Sequence, residues 1–427
     1  MLFWISAFVK IALIVGVLVN MAAILLWVER KQSAMMQDRV GPNRAAIAVG
    51  GLRIRAAGLV HSIADGIKMV WKEDWEPTTG DKLLYRLAPI IAIVPPLCLF
   101  AVIPFAPTLH VNHAREMFNP AWLNEPGAAT IPMQIANLDV GVLFIFAVAG
   151  AGIIGSALAG WASDNKFSLM GGLRAASQMV SYEVAMGLSL VGAFMVYQSV
   201  RLEDMVRWQQ EHTWGIFVQP LAFVLFSVAA IAETKRVPFD VPEGESEIVA
   251  GYFTEYSGLK FGMFASGELV EVCTAAAIVT TVFLGGWHMP FFTDRGIEVI
   301  FNGDAVVAAE AAQAFVAGHT MLPNFTAAEG ATTAQLLQNC ASAFASLNGS
   351  FVWHWPHWAV VVVSLGNFVL KCVVLIFMQL QIRWTLPRFR YDQIMKLGWQ
   401  MLLPAALFNV LVTGIVLLFL NGGAPTP

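Results

Sequence analysis

Apolar runs of about 20 residues, the length a helix needs to cross a bilayer, recur along the chain. They lie near 4–28, 87–106, 140–161, 176–198, 214–232, 263–287, 357–382 and 400–420. The pattern predicts an all-α fold: a polytopic transmembrane helix bundle of about eight spans. The first run is too long for a signal-peptide core. It is followed by Glu29-Arg30-Lys31 with no small-residue cleavage pattern, so it reads as a retained span. Between the first two runs, Leu59, Ile63, Ile67 and Val70 recur at helical spacing, with Asp65, Lys68 and Lys72 elsewhere around the wheel. That segment reads as an amphipathic helix lying on the membrane or against a partner. The expected organisation is helices 1 to 6 within 1–287, an outward insertion at 288–356, and helices 7 and 8 within 357–427. Inside the insertion, Val306–Phe315 and Thr333–Leu347 read as helices too short and too polar to span.

The distribution of basic residues sets the orientation. Arg30, Lys31, Arg39, Arg44 and further Lys and Arg lie between the first two runs. Lys166 and Arg174 follow the third, Lys235, Arg236 and Lys260 the fifth, and Arg388, Arg390 and Lys396 the seventh. The opposite loops hold only Arg115, Arg201, Arg207 and Arg295. The richer set faces the cytoplasm, which puts both termini outside.

Composition agrees with a membrane protein and adds one anomaly. The chain is 57% hydrophobic and 13% charged. Yet AETKRVPFDVPEGESEIVAGYFTEY carries Glu233, Asp240, Glu243, Glu245, Glu247 and Glu255 against Lys235 and Arg236. Two readings fit. Asp240-Val-Pro-Glu243 has capping-box spacing, so part of the stretch is explained as a helix start. Alternatively, Asp240, Glu243 and Glu247 share one helical face at i, i+3, i+7 and titrate as a coupled set, as a proton relay needs. The second reading also draws in groups inside apolar runs: Glu183, Glu268 with Glu271 one turn on, and Lys371. Each alone is explicable as a hydrogen-bonded packing contact. Spread over three spans, they point to a shared polar axis.

Other chemistry finds little support. The eight histidines form no facing pairs within spans, which leaves haem ligation without a basis. His110 with His113 and His354 with His357 have short spacings but no carboxylate or cysteine in a zinc pattern. Cys98, Cys273, Cys340 and Cys372 share no short spacing, against a disulfide framework or an iron–sulfur site. There is no Walker loop, no GxGxxG opening a helix and no Ser-His-Asp signature. Bound metal, haem or flavin is not expected in this chain, nor nucleic acid as a partner.

Six segments taken in order resemble one family. They are ERK at 29–31, QDRVGPNR at 37–44, ADGIK at 64–68, GWASDNKFSLMGGLRAASQMVSYEV at 160–184, AETKRVPFDVPEGESEIVAGYFTEYSG at 232–258 and PRFRYDQIM at 387–395. The family is the quinone-site membrane subunit of respiratory complex I, the proton-translocating NADH–quinone oxidoreductase. The resemblance implies a subunit without a redox cofactor of its own, in a bacterial inner membrane. Its substrate would be a quinone, ubiquinone or menaquinone. Peripheral-arm subunits would complete a quinone tunnel, and small and antiporter-like membrane-arm subunits would flank it. By the same resemblance Glu29, Arg30, Arg39, Asp65, Arg236 and Arg383 match tunnel residues, with Arg388 and Arg390 along the tunnel or its docking face. Glu183, Glu233, Asp240, Glu243, Glu245, Glu247, Glu255 and Glu268 match an acidic path linking quinone reduction to proton pumping, and Lys371 an intramembrane lysine.

This sequence departs from the family at three places. Pro290–Trp355 replaces a short turn, Lys235 stands where Asn is usual, and Ser266-Gly267 precedes Glu268. The anchoring subunit of the related membrane-bound hydrogenases shares much of the pattern, and a stand-alone ion transporter is a third reading.

Overall fold

Helices of 18 to 35 residues build the first of two compact units, and small glycine contacts set how closely they pack. A computed structural model describes residues 2–49, 52–110, 130–290, 292–293, 296–300 and 350–420. The first unit gathers Met1–Phe105, Gln134–Gly286 and Phe368–Pro427, and the second Ala106–Met133 and Trp287–Asn367.

The long helices are α1 (Leu2–Met36), α3 (Lys82–Leu99), α4 (Gly141–Ala162), α5 (Lys166–Tyr197), α10 (Gly258–Phe283), α11 (His357–Thr385) and α13 (Leu403–Leu420). Shorter ones are α2 (Val60–Trp71), α6 (Leu202–Glu211), α7 (Gly215–Val218), α8 (Pro220–Glu233), α9 (Glu245–Ile248) and α12 (Tyr391–Lys396). A π-helical turn, Leu397–Leu402, joins α12 to α13. Among the described residues seven helical stretches are long and apolar enough to cross a membrane. The all-α polytopic expectation therefore holds, with one span altered. The run expected at 214–232 is divided at Gln219, whose φ of -131° and ψ of 60° are not helical. Pro220, lacking an N–H, starts the next helix. Its 14 residues rise about 21 Å, short of a ~30 Å hydrocarbon core. The break is tied down by α13: Gln219 Nε2 donates to Thr413 Oγ1 at 2.9 Å, and Asn409 Nδ2 donates to Gln219 Oε1 at 3.1 Å.

The fourth span begins earlier than the apolar run suggested. Asn165 caps α5 by accepting from the Phe167 N–H at 2.9 Å, so Lys166 and Arg174 are helical rather than in a loop. Where α5 crosses α4, a β-carbon on Gly160 would lie 3.1 Å from Gly172 Cα. Beside it, a β-carbon on Gly171 would lie 2.6 Å from Gly251 Cα. Small residues thus let α5 touch both a neighbouring helix and the acid-rich connection after α8. Tyr85, Ala159, Ala175, Tyr252 and Tyr256 complete a buried cluster there, with the Tyr85 and Tyr256 rings stacked at 4.2 Å.

That acid-rich connection is not the helix the sequence suggested. Residues 234–244 run as turns, and only Glu245–Ile248 is α-helical, with Gly244 preceding it and no side-chain cap. The Asp240–Glu243 capping box and the shared face of Asp240, Glu243 and Glu247 are therefore absent. Pro238 and Pro242 interrupt helical bonding, and Gly251, at φ +57°, packs so tightly on the Pro242 carbonyl that a β-carbon would overlap it.

The amphipathic helix forms as α2, where expected. Its apolar stripe of Ile63, Ile67, Val70 and Trp71 is exposed. Two of its polar residues face the protein instead: the His61 ring accepts from the Arg44 and Ala45 N–H groups, and Ser62 donates to the Ala23 carbonyl. A two-stranded antiparallel ribbon, β1 (Ile47–Val49) with β2 (Leu52–Ile54), precedes it.

In the second unit, β3 (Leu109–His110) pairs with β4 (Thr130–Ile131). β5 (Phe292–Thr293), β6 (Gly296–Ile300) and β7 (Ser350–His354) form a three-stranded antiparallel sheet, with Ile297 opposite Trp353 and Val299 opposite Phe351. The ends of the insertion pair because their β-branched and aromatic residues suit a sheet. The helices expected at Val306–Phe315 and Thr333–Leu347, together with His113, Arg115, Arg295 and Cys340, lie outside the described residues.

Candidate functional site

The C-terminal part of α1, the turn after it, the connection after α8, and helices α2, α10 and α11 line an open cavity of about 600 Å³. Such a volume suits a ring-bearing small molecule. Its wall carries Glu29, Arg30, Arg39, Arg236, Asp240, Glu243, Glu268 and Arg383, and Trp384 stands beside them. Gly41 makes the turn that brings Arg39 to the rim: its φ is +77°, a conformation that favours glycine.

The charges interlock. Glu29 is buried and accepts from Arg236 Nη1 at 3.1 Å on one oxygen and from Arg383 on the other. Arg236 Nε lies 3.9 Å from Glu268 Oε2 without a hydrogen-bond partner of its own. Glu268 Oε1 accepts from the Tyr252 hydroxyl at 3.1 Å. Asp240 Oδ2 accepts from Arg388 at 2.8 Å, and its Oδ1 makes no hydrogen bond. Arg30 bonds Asp65, which stands outside the wall and also lies 3.5 Å from Lys68.

Burial decides the protonation of the loop acids. It pushes Asp240 up to about 6, although Arg388 pulls the other way. Burial, with the Glu268 and Asp240 carboxylates close by, holds Glu243 well above the usual carboxylate range. Carboxyls so close together take up and release protons as a coupled set. The cavity therefore offers fixed guanidinium donors on one side and proton-holding carboxyls on the other.

The remaining sequence candidates separate into distinct places. Glu233 lines a second, smaller cavity of about 50 Å³ together with Glu271. Glu183 lies against α4, its Oε1 3.4 Å from where a β-carbon on Gly150 would sit. Glu247 is bonded to Arg174 at 2.6 Å, and Glu255 accepts from Asn165 Nδ2 at 2.7 Å. Neither lines the large cavity. Glu245 starts α9, and its side chain lies outside the described residues. Lys371 is elsewhere: it donates to the Leu284 and Gly286 carbonyls at 2.7 and 3.1 Å, 4.6 Å from the Trp214 ring centroid. Along α10, Leu284 is about 24 Å from Glu268.

Three participants escaped the sequence reading of the site: the Tyr252 hydroxyl, the Lys235–Glu271 pair at 3.3 Å, and Arg388 as the partner of Asp240. Lys235 had a signal, since it replaces a usual Asn, and Glu271 another, one turn from Glu268. Tyr252 had none. Among the described residues no group of three or more His, Cys, Asp or Glu is placed to hold a metal ion.

Comparison with known proteins bears on the whole chain. Residues 9–414 match the family described as NADH dehydrogenase. The chain is 38% identical over 409 residues to an H-type subunit of the NADH-quinone oxidoreductase of Geobacter metallireducens, covering 96% of this chain and 95% of that protein. It is 37% identical over 427 residues to the corresponding protein of Solibacter usitatus, covering 96% of each. To that of Flavobacterium psychrophilum it is 36% identical over 416 residues, covering 97% of this chain and 98% of that protein.

Proposed function

Because the chain belongs to the NADH dehydrogenase family, among the H-type subunits of NADH-quinone oxidoreductase, the membrane subunits of complex I, we propose that its large cavity receives a quinone headgroup and that its acids couple quinone reduction to proton movement. The observation that carries this reading is the Glu29 carboxylate clasped by Arg236 and Arg383 on a wall shared with Asp240, Glu243 and Glu268.

Reducing a quinone to a quinol takes two electrons and two protons. The electrons come from partner subunits of the complex. This chain supplies position and protons. Guanidinium groups of Arg30, Arg39, Arg236 and Arg383 donate hydrogen bonds to a quinone carbonyl and stabilise the negative charge that grows there on reduction. Glu29 holds Arg236 and Arg383 in place, and Asp65 holds Arg30. Asp240 and Glu243, whose hold on a proton burial strengthens, take up protons and pass them toward the reduced oxygens. Each loss alters the charge felt by Glu268, and Glu233 and Glu183 continue the path toward the middle of the bundle. In this reading Glu247 and Glu255 hold the loop that carries the path, with Glu245 heading its short helix. Lys371 secures the far end of α10.

The reading extends to placement. The basic loops face the cytoplasm of a bacterial inner membrane, and both termini face the periplasm. Peripheral-arm subunits close the cavity over the exposed arginines, antiporter-like and small membrane subunits continue the acid path, and 288–356 forms an outward insertion. The quinone is ubiquinone or menaquinone.

The test uses the complete complex in liposomes. Glu243→Gln with Glu268→Gln should sharply lower the number of protons translocated per quinone reduced while the complex still assembles. A normal ratio in that double variant would refute the path.

A further inference from the structure

Lys235 and Arg236 are consecutive, and Glu268 and Glu271 are one helical turn apart on α10. The four side chains form two rungs. Arg236 with Glu268, at 3.9 Å, faces the large cavity. Lys235 with Glu271, at 3.3 Å, is the inner rung, with side chains only 6% and 15% exposed. Glu271 also lines the small cavity whose wall includes Glu233. That space of about 50 Å³ is enough for water. One carboxylate oxygen of Glu271 is engaged by Lys235, while Oε2 is buried and makes no hydrogen bond to the protein. A buried ion pair is poor evidence of added stability, since desolvation offsets its attraction.

We propose that Glu271 is a further proton-carrying carboxylate of this chain, joining the Glu268 rung to Glu233, and that Lys235 is the residue that positions and charges it. The inference rests on the acid path proposed above and adds a station to it. A proton arriving from the Glu268 side binds the Glu271 carboxylate. It leaves from Oε2 through water to the Glu233 carboxylate, and Glu271 returns to its ionised form. Lys235 keeps its three protons throughout. Burial works against its charge, but the carboxylates of Glu271, Glu268 and Glu233 outweigh that and hold it above the ordinary lysine range. Its ammonium keeps Glu271 ready to accept and fixes Oε1, which leaves Oε2 as the exit.

The deciding experiment compares variants of the whole oxidoreductase in liposomes, reading protons translocated per quinone reduced. Lys235→Asn with Glu271→Gln removes both charges together, so no buried ion is stranded and the two amides can still bond. A station predicts loss of proton translocation per quinone in this assembled variant, and Lys235→Arg, which keeps the cation, should retain it. A pair that only braces the fold predicts the wild-type ratio in the double variant, and that result would overturn the proposal. Failure of the wider reading is separate. If Glu243→Gln with Glu268→Gln pumps normally, the path itself is refuted. If that variant loses pumping while the Lys235/Glu271 double keeps it, only the added station is.

Discussion

Arg388 donates to Asp240 Oδ2 at 2.8 Å, yet the carboxyl titrates upward, near 6, because burial outweighs the ion pair. The sign of a substitution follows. An acid whose folded value is raised stabilises the fold below its unfolded value, about 3.9, and that contribution is lost as pH rises through about 6. Arg388→Ala removes a lowering influence, so Asp240 should titrate above 6. The infrared carboxyl signal that disappears in Asp240→Asn should move to higher pH in Arg388→Ala. A shift to lower pH would reverse the assignment of causes.

Glu29 balances two guanidinium groups in a buried setting. Glu29→Gln strands Arg236 and Arg383 without their shared counter-charge. Breaking one side of a buried pair costs about 3–5 kcal/mol, which should show as a lower unfolding temperature of the purified complex. Arg236→Lys should be milder for stability and still harmful to quinone affinity, because an ammonium cannot reproduce the forked donor. The quinone KM separates the two effects.

Glu247 makes the opposite case. Its pair with Arg174 is half in solvent on the acid side, so Glu247→Gln should change stability by less than about 1 kcal/mol. It should also leave the proton-to-quinone ratio unchanged. A loss of pumping in this single variant would return Glu247 to the proton path.

These contrasts show what the sequence could and could not reveal. Apolar length located the spans, although α1 runs on to Met36, past the expected end at 28, and α3 stops at Leu99, short of 106. It failed where a cap or a proline decides the boundary, as at Asn165 and Pro220. Motifs gathered Glu29, Arg236, Asp240, Glu243, Glu268 and Arg383, which do share one wall. Spacing grouped Asp240 with Glu247, and this was wrong because it assumed a helix that Pro238, Pro242 and the Gly251 contact prevent. The pairing of Lys235 with Glu271 depends on two distant segments packing together, a relation that no local pattern encodes.

The close approach of Gly171 to Gly251 ties α5 to the acid loop and gives a packing prediction. A β-carbon at Gly171 would stand 2.6 Å from Gly251 Cα and 2.7 Å from the Tyr252 nitrogen, backbone atoms that cannot swing aside. Gly171→Ala should cost about 1–3 kcal/mol through overpacking and displace Tyr252 from Glu268. Activity should fall with stability, whereas Gly187→Ala, on the same helix with nothing within 4 Å, should be tolerated.

Lys371 offers the last discrimination. Its ammonium closes the C-terminal end of α10 by bonding two carbonyls there, at Leu284 and Gly286, where a helix favours positive charge. Hydrogen bonds from a charged donor are worth about 1.5–3 kcal/mol each, so Lys371→Met should lower the unfolding temperature of the complex measurably. If Lys371 serves only to anchor the helix, proton translocation per quinone should be normal in the Lys371→Met complexes that do assemble. If it is a station on the proton path, that ratio should fall even at temperatures where the variant is fully folded. Measuring both on one preparation distinguishes an anchor from a relay, because the two roles act on different quantities through the same ammonium.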